Sequence, residues 1–208
     1  MYVPNHFRED NTQTLQQYIR DYSFGLLVVA DTEGIEANHI PFVLLDDAPG
    51  TAGILQCHLA RANPAWQRIA QGARVLVVFK GPDAYVSPSW YPSKAESGRV
   101  VPTWNYLAVH AEGQARVIQD ADWLGHHLHL LTTRHEQGRD TPWSVADAPA
   151  DYVDRLKSAI VGIEIRLERL TGKLKASQNQ PEANRAGVKA GLQRSANPSD
   201  HRMSDFIT

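Results

Sequence analysis

The sequence predicts a mainly β, α+β protein in which an antiparallel barrel carries peripheral helices. Three observations predict this class. Six or seven strand-like segments follow one another along the chain, and helical patterns occur between them. Most strands are joined by turns too short for the crossovers that parallel strands need. Because the chain has 208 residues and is 42% hydrophobic, it can bury one core, and we expect one large domain.

The first helix and the first hairpin have clear local signals. Apolar residues recur at helical spacing before residue 23, and Asn11 or Thr12 can cap the start of that helix. Residues 24–30 (FGLLVVA) form an apolar run, DTEG supplies a turn, and residues 35–45 resume an extended pattern up to DDAPG. The sequence therefore predicts a helix followed by a β-hairpin.

The other elements are predicted from the same kinds of signal. Residues 87–103, with three prolines, should be mostly loop, and Pro181 opens a polar segment interrupted by Gly187 and Gly191. Strands are predicted over residues 52–59, 74–80, 84–87 after a Gly-Pro-Asp break, 104–118 and 159–170. Helices are predicted after Asn63-Pro64, from Asp120 to about Glu136, and over residues 147–157.

Charge and cysteine content narrow the function classes. A net charge of -2 with a pI near 6.5 argues against a broad nucleic-acid-binding face. Residues 172–202 nevertheless hold six Lys or Arg against Glu182 and Asp200, a basic tail that could serve a phosphate, an acidic partner or DNA. The lone Cys57 and the absence of an apolar leader or spanning segment predict a cytoplasmic protein without membrane contact.

A first candidate cluster lies in CHLARANP, where a strand runs into a helix start. Free backbone amides at such a point bind anions, and the side chains of His58, Arg61 and Asn63 beside them suit a phosphate. The alternative is that Asn63 only caps the helix and Arg61 is a solvated surface charge.

A second cluster combines SPSWYPSK with VPTWN. Flat rings beside hydroxyls, an amide and a cation resemble a pocket for a planar heterocycle with an anionic tail. Such aromatic loops occur equally at oligomer interfaces, and the two interpretations are compatible. The residues concerned are Trp90, Tyr91, Ser93, Lys94, Thr103, Trp104 and Asn105.

A third cluster, GKLKASQNQP, follows the last predicted strand. Lys173 and Lys175 would point to one face of an extended segment, while Ser177, Gln178 and Asn179 offer donors. The density of donors favours a binding role over an ordinary linker.

Other chemistries have weaker signals. His126, His127, His129 and His135 share one helix, but no carboxylate or Cys pattern completes a metal site, so no metal is expected. The sequence contains no GxSxG, P-loop or GxGxxG motif, and Cys57 in an apolar strand is expected to be a buried thiol. No catalytic residue is therefore predicted.

Six segments together resemble one known family. MYVPNHF, ANHIPF, CHLARANP, YVSPSWYPSK, VPTWNY and KLKASQNQP occur in the order found in PaiB-type FMN-binding proteins, once described as negative transcriptional regulators. The resemblance covers nearly the whole chain. It implies the FMN-binding split barrel shared with pyridoxamine-phosphate-oxidase-like proteins, which is generally a homodimer with flavin between the subunits.

The resemblance also implies where FMN would bind. The isoalloxazine edge would lie along the strand at residues 38–42, His58, Ala60 and Asn63 would approach the ribityl phosphate, and residues 175–179 would close the site. With the clusters above, the predicted cofactor-binding residues are Asn38, His39, Ile40, Pro41, His58, Ala60, Arg61, Asn63, Lys94, Thr103, Trp104, Asn105, Lys175, Ser177, Gln178 and Asn179.

Two function classes follow from these expectations. The first is a flavoprotein, either a redox or sensor protein or an FMN-dependent oxidoreductase, with haem as an alternative occupant of an adapted pocket. The second is a direct DNA-binding repressor, for which no helix-turn-helix, zinc finger or basic recognition helix is visible, so DNA contact is expected to be weak or indirect. We expect residues 1–171 to form the FMN-binding domain and residues 172–208 a basic segment packed on the barrel or the dimer partner.

Overall fold

The computed structural model describes residues 1–46 and 51–208. Residues 47–50, where the first hairpin is predicted to end, lie outside this description. The strands are β1 (Arg8–Glu9), β2 (Phe24–Asp31), β3 (Gly34–Pro41), β4 (Val43–Leu45), β5 (Ile54–Ala60), β6 (Arg74–Val86), β7 (Thr103–Ile118) and β8 (Ile160–Lys175). The α-helices are α1 (Thr12–Asp21), α2 (Ala65–Ala70), α3 (Ser93–Ser97), α4 (Ala121–Glu136), α5 (Ala150–Ser158), α6 (Glu182–Gln193) and α7 (Pro198–Ser204).

The strands form one sheet in the order β3-β2-β6-β7-β8-β5-β4, with β1 paired to β8. The pairs β1-β8, β2-β3, β2-β6, β4-β5 and β5-β8 are all antiparallel. Among the described residues the path starts at β3 and ends at β4 without returning to β3. The predicted mainly β, antiparallel fold with peripheral helices is confirmed.

The chain divides into two compact units. Unit 1 comprises residues 1–15, 80–109 and 171–208, and unit 2 comprises residues 16–79 and 110–170. The strands β6, β7 and β8 each supply residues to both units. The proposed division at residue 171 stays a prediction, and the basic C-terminal residues share unit 1 with two earlier stretches of chain.

The predicted hairpin is present as β2 and β3. Its register runs from Phe24 opposite Pro41 to Asp31 opposite Gly34. The predicted second strand is divided into β3 and β4 by Phe42, whose side chain is buried and whose N–H donates to the Ser23 carbonyl at 2.9 Å. This bond continues the β2-β3 register by one residue, and the Phe42 ring packs edge-on against Phe79 in the core of unit 2.

One predicted break in the sheet is wrong. β6 continues through the Gly-Pro-Asp segment at residues 81–83. A Cβ at Gly81 would lie 2.6 Å from Cδ2 of Leu107, so glycine allows the strand to pass close to this core residue. The ladder between β6 and β2 covers only residues 74–78 of β6, so the missing N–H of Pro82 removes no bond from it.

Helix α6 is also more regular than the sequence suggests. α6 runs through both Gly187 and Gly191, which were expected to interrupt it. A Cβ at Gly187 would lie 2.0 Å from the Trp90 carbonyl oxygen, and one at Gly191 would lie 2.3 Å from Cδ2 of the Trp90 ring. The glycines weaken the isolated helix by about 1 kcal/mol each, but they let Trp90 pack directly on it.

Unit 2 presents an outer apolar face on three adjacent strands. Along β2, Leu27 and Val29 point into the core, while Phe24, Leu26 and Val28 point outward. Phe24 is 64% exposed and Ile35 on β3 is 79% exposed. The residues paired with the outward side of β2 complete this outer apolar face, which comprises Phe24, Leu26, Val28, Ile35, Ala37, His39, Leu76 and Val78.

Helix α4 packs on the sheet of unit 2 through a pair of imidazoles. His58 Nδ1 lies 3.1 Å from His127 Nε2, and the Trp123 ring stacks on the His127 ring at 5.3 Å between centroids. A Cβ at Gly162 would lie 2.2 Å from the Trp123 ring, so glycine makes room for the indole. Burial, followed by the neighbouring His58 and His126, lowers the pKa of His127 to about 4.

We expect Gly191→Ala to destabilise the protein although alanine is the better helix former. The new methyl group would overlap the Trp90 ring, and overpacking of this kind costs about 1–3 kcal/mol. Gly125→Ala in α4 is the matched control, because no atom lies within 4 Å of its Cβ position and the gain in helix propensity is about 1 kcal/mol. Urea unfolding measures both changes, and stabilisation by Gly191→Ala would contradict the packing described.

Acid should weaken unit 2 through His127. Because the folded pKa of about 4 lies below the ordinary value of 6.5, the unfolded chain binds the proton first, and stability falls as pH falls below 6.5. Between pH 6.5 and 5 this loss amounts to about 1–2 kcal/mol for one such histidine. His127→Gln should flatten the pH dependence of unfolding, whereas His129→Gln on the exposed side of α4 should leave it unchanged. Equal slopes for the wild type and His127→Gln would exclude this role.

Candidate functional site

Unit 1 contains a cavity of about 310 Å³ between the start of β7 and the end of β8. The loop before β7 and the first turn of α6 complete its wall. Its lining residues are Phe7, Tyr91, Ser93, Arg99, Val100, Val101, Thr103, Asn105, Lys175, Ser177, Asn179, Gln180 and Asn184. The volume falls within the range typical of small-molecule sites.

Asn105 is the most deeply buried polar residue of this wall, with an exposed fraction of 0%. Its Nδ2 donates to Ser177 Oγ at 2.9 Å, while its Oδ1 has no hydrogen-bond partner among the described residues. Leaving a buried acceptor unpaired costs about 1–3 kcal/mol. The bond to Ser177 fixes the orientation of the Asn105 amide in the wall.

The backbone at Ser177 adopts an unusual conformation that supports this arrangement. Its φ of 64° lies in the left-handed region, which residues other than glycine rarely occupy. The Gln180 N–H donates to the Ser177 carbonyl at 2.9 Å, and the Ala176 N–H donates to Gln178 Oε1 at 2.7 Å. These bonds hold the turn, so Ser177 Oγ stays within reach of Asn105.

Lys175 brings a partly desolvated positive charge to the cavity. Its ammonium donates to Thr103 Oγ1, and its Nζ lies 5.8 Å from the centroid of the Phe7 ring. Burial is the main cause that lowers the pKa of Lys175, with a smaller contribution from Lys173. Arg99 adds a second cation, and the lining residues include no Asp or Glu. The cavity therefore favours an anionic ligand.

Five of the predicted site residues line this cavity together, namely Thr103, Asn105, Lys175, Ser177 and Asn179. The other predicted residues of unit 1 have different surroundings. Gln178 Nε2 donates to the Leu174 carbonyl at 2.6 Å, and Lys94 Nζ donates to Ser89 Oγ at 3.1 Å. Trp104 is 53% exposed and packs edge-on against Tyr85.

The three aromatic rings predicted to crowd one pocket lie in different places. Trp90 packs on α6, Tyr91 is buried and lines the cavity, and Trp104 is on the surface. Their sequence proximity therefore reflects three separate packing roles.

The predicted residues of β3 are brought together with one residue before α2. Asn63 Nδ2 donates to Asn38 Oδ1 at 2.8 Å, and Asn63 Oδ1 accepts from the Ala65 N–H at 2.9 Å. Asn63 therefore ties β3 to the start of α2 in addition to serving as the predicted helix cap. The intervening predicted residues differ in exposure: His39 is exposed, Pro41 is half-buried and Ile40 is buried.

Arg61 and His58 are held by contacts within unit 2. The Arg61 guanidinium donates to the carbonyls of Ser158 and Ile160 at 2.8 and 3.0 Å, and to Gln119 Oε1 at 2.7 Å. His58 contacts His127, as described above. Ala60, also predicted to approach the cofactor, closes the β5-β8 ladder opposite Ile160.

Phe7, Arg99 and Asn184 are among the lining residues that were not predicted from the sequence. Arg99 follows the left-handed Gly98 that ends α3, and Phe7 lies in a 3₁₀ turn before β1. Asn184 is buried, donates to Ser93 Oγ at 3.0 Å and to Gln180 Oε1 at 3.1 Å, and so joins α6 to the cavity wall. For Arg99, the local signal in the sequence is the preceding Gly98 beside a segment that contains several prolines.

The lining residues fit the polar end of a flavin mononucleotide. A phosphate monoester supplies anionic oxygens for the two cations of the lining, Lys175 and Arg99. Within residues 1–46 and 51–208, none of the helices combines the length and apolarity needed to cross a bilayer.

Comparison with known proteins indicates the family of the chain. A family model described as "Putative FMN-binding domain" matches residues 1–169. The chain is 32% identical over 209 residues to the protease synthase and sporulation protein PAI 2 of Bacillus subtilis, covering all of this chain and 96% of that protein.

Solved structures with low sequence identity share the fold. The flavocytochrome Anf3 of Azotobacter vinelandii matches with a TM-score of 0.61 at 12% identity, covering 89% of this chain and 78% of that one. The FAD and heme binding protein of Mycobacterium smegmatis matches with a TM-score of 0.57 at 17% identity, covering 81% and 73% of the two chains. The chain therefore belongs to the PaiB-type FMN-binding family, with a split-barrel fold and FMN as its cofactor.

Proposed function

We propose that the protein is a dimeric flavoprotein, a redox or sensor protein in which the cavity of unit 1 receives the ribityl phosphate end of FMN. One observation carries the assignment to this cavity. A partly desolvated lysine and a second cation, Arg99, line the same cavity, and the lining residues include no carboxylate that would oppose an anion there. This combination suits an anionic ligand.

Each residue of the cavity has a distinct role in this proposal. Lys175 and Arg99 neutralise the phosphate. Ser177 holds the Asn105 amide in place. When bound, FMN supplies the electron-transfer chemistry, and the protein supplies orientation and electrostatics.

The isoalloxazine is proposed to contact β3, as the family resemblance implies. β3 ends the strand order, so one edge of its main chain faces away from β2. Main-chain N–H and carbonyl groups at residues 38–41 can pair with the ring edge without any special side chain. The Asn63–Asn38 hydrogen bond would hold this strand in position.

We propose that the homodimer forms through the outer apolar face of unit 2. The sequence argument for a dimer was the expected exposure of Trp90, Tyr91 and Trp104, but Trp90 and Tyr91 pack within unit 1. The outer apolar face is a stronger argument, since three adjacent strands present a continuous set of apolar side chains. Contiguous exposed apolar surface of this kind marks interaction sites.

Regulation is proposed to act through the flavin instead of through direct DNA binding. The relative from Bacillus subtilis is named for protease synthesis and sporulation, which motivates a regulatory role. In this chain, Arg185 Nε donates to the Thr208 carbonyl at 2.8 Å and Lys189 Nζ donates to the Ile207 carbonyl at 2.9 Å. These cations of the basic segment hold the C-terminus, which leaves fewer of them to contact DNA phosphates.

Lys175→Ala should weaken FMN more than riboflavin, because riboflavin has no phosphate to lose. A charged hydrogen bond to an oxyanion contributes about 1.5–3 kcal/mol, which corresponds to about a 10- to 150-fold loss of FMN affinity. Flavin fluorescence titration measures both ligands. Arg61→Ala is the control, because this guanidinium binds protein oxygens and its loss should change both affinities alike. Equal weakening of the two flavins by Lys175→Ala would place the phosphate elsewhere.

Val28→Glu should convert the dimer to a monomer by placing a charge in the centre of the outer apolar face. Light scattering at micromolar concentration reports the mass, and circular dichroism checks the fold. Leu156→Glu on the exposed side of α5 is the control and should leave the dimer intact. A wild-type monomer that binds FMN at full occupancy would refute the dimer.

A further inference from the structure

We propose that Lys175 in the cavity of unit 1 forms a reversible imine with a small aldehyde that carries an anionic group. Three features of this cavity carry the proposal: an amine in its wall, a second cation, and a lining without Asp or Glu. The proposal rests on the proposed function in one respect, since FMN and the aldehyde would need the same lysine. An anionic aldehyde would therefore exclude the phosphate of FMN from the cavity.

Lys175 has the surroundings of a nucleophilic amine. It is half-buried in the cavity wall, and its ammonium donates to the uncharged hydroxyl of Thr103. No carboxylate among the lining residues stabilises the protonated form. Burial lowers the pKa of Lys175 and Lys173 adds to this effect, whereas Tyr106 opposes it. At a given pH more of this amine is therefore neutral than in an exposed lysine, and the neutral amine is the form that attacks a carbonyl group.

Arg99 supplies the preference for an aldehyde with an anionic group. It lines the same cavity from the segment that follows α3, and a guanidinium keeps its charge in proteins. The two cations therefore have separate tasks: Arg99 binds the anionic group, and the Lys175 amine attacks the carbonyl carbon. A cavity of about 310 Å³ has room for a three-carbon phosphate ester, which is smaller than the ligands typical of such volumes.

The reaction balances without a cofactor or an oxidant. The Lys175 ammonium releases one proton to solvent, and the lone pair of Nζ forms a bond to the aldehyde carbon. The carbonyl oxygen takes the electron pair of its π bond. The two hydrogens left on nitrogen then leave with this oxygen as water, and a C=N bond remains. Addition of water reverses the reaction and releases the aldehyde.

Glyceraldehyde 3-phosphate and glyceraldehyde are matched probes, because they differ only in the phosphate. The full-length, flavin-free protein is incubated with each aldehyde and with cyanoborohydride, which delivers hydride to the imine carbon and leaves a stable secondary amine. Mass spectrometry of proteolytic peptides then measures the rate of labelling at each lysine. Lys94 is the internal control. Its ammonium also donates to a hydroxyl, Ser89 Oγ at 3.1 Å, but the residue is exposed and does not line the cavity.

Glyceraldehyde 3-phosphate should label Lys175 faster than Lys94. It should also label Lys175 about 10- to 150-fold faster than glyceraldehyde does, which is the range expected for a charged hydrogen bond to an oxyanion. Arg99→Ala should reduce the ratio of these two rates at Lys175. Arg194→Ala is the matched control and should keep the ratio, because Arg194 is exposed and lies outside the lining. Lys175→Arg keeps the charge and should leave no phosphate-dependent labelling at any lysine.

Three results would overturn the proposal: equal rates at Lys175 and Lys94 with glyceraldehyde 3-phosphate, equal rates of the two aldehydes at Lys175, or a rate ratio that Arg99→Ala does not change. Saturating FMN should protect Lys175 and leave Lys94 reactive. Selective labelling of Lys175 that FMN does not slow would refute the proposed place of the FMN phosphate and leave the imine standing. A loss of FMN affinity over riboflavin in Lys175→Ala, without selective labelling of Lys175 in the wild type, would do the reverse.

Discussion

The candidate site depends on the uninterrupted length of β8. Its first residues pair with β5 over Ile160 to Arg166, and its last residues pair with β1 at Gly172 and Lys173. A Cβ at Gly172 would lie 2.2 Å from Cδ2 of Leu15, so a larger residue would disturb the strand where it meets the N-terminal segment. Because the strand continues to Lys175, the ammonium group reaches the cavity and the turn at Ser177 follows directly. A strand ending at residue 170 would leave the lysines in a loop without a fixed position.

Asn105 Oδ1 and His127 Nδ1 are both buried without a hydrogen-bond partner, and the free-energy cost of their burial has different consequences. Asn105 Oδ1 is buried in the wall of a cavity, where the bond from Nδ2 to Ser177 holds the amide. His127 Nδ1 lies on a ring covered by Trp123 and contacted by His58, with no described pocket of its own. Burial there acts on protonation, since it keeps the imidazole neutral and lowers its pKa. The Asn105 amide is therefore held beside the cavity, whereas the His127 imidazole makes the stability of unit 2 depend on pH.

Elements with local signals could be predicted from the sequence. Asn11 caps α1 through a bond from the Thr14 N–H, and Asp120 caps α4 through a bond from the Trp123 N–H. The hairpin turn between β2 and β3 is local in the same way. The errors arose where the deciding contact is distant in sequence. In the sequence, Gly187 and Gly191 predict a break in the helix. Their role is explained by Trp90, which lies about a hundred residues earlier in the chain and packs against both glycines.

Some residues of the candidate site could be predicted from the sequence for the same reason. Thr103, Asn105, Lys175 and Ser177 belong to motifs that combine hydroxyl, amide and ammonium groups, and these residues line one cavity. Arg99 belongs to no such motif, and its place in the wall follows from the left-handed turn at Gly98. Arg61 shows the opposite case, because a sequence cannot reveal that three protein oxygens already surround a guanidinium.

The distribution of the C-terminal cations bears most directly on function. Read as a sequence, residues 172–202 form a basic tail that could contact DNA. In the structure, Lys173 Nζ lies over the rings of Tyr2 and Tyr106, at 5.8 and 5.1 Å from their centroids, and Lys175 lines the cavity. Arg185 and Lys189 bind the last carbonyl groups of the chain. Four of the six cations of this segment therefore have a partner or a cavity within unit 1, whereas Arg194 and Arg202 are exposed. This distribution supports the proposal that the segment does not form a broad nucleic-acid surface.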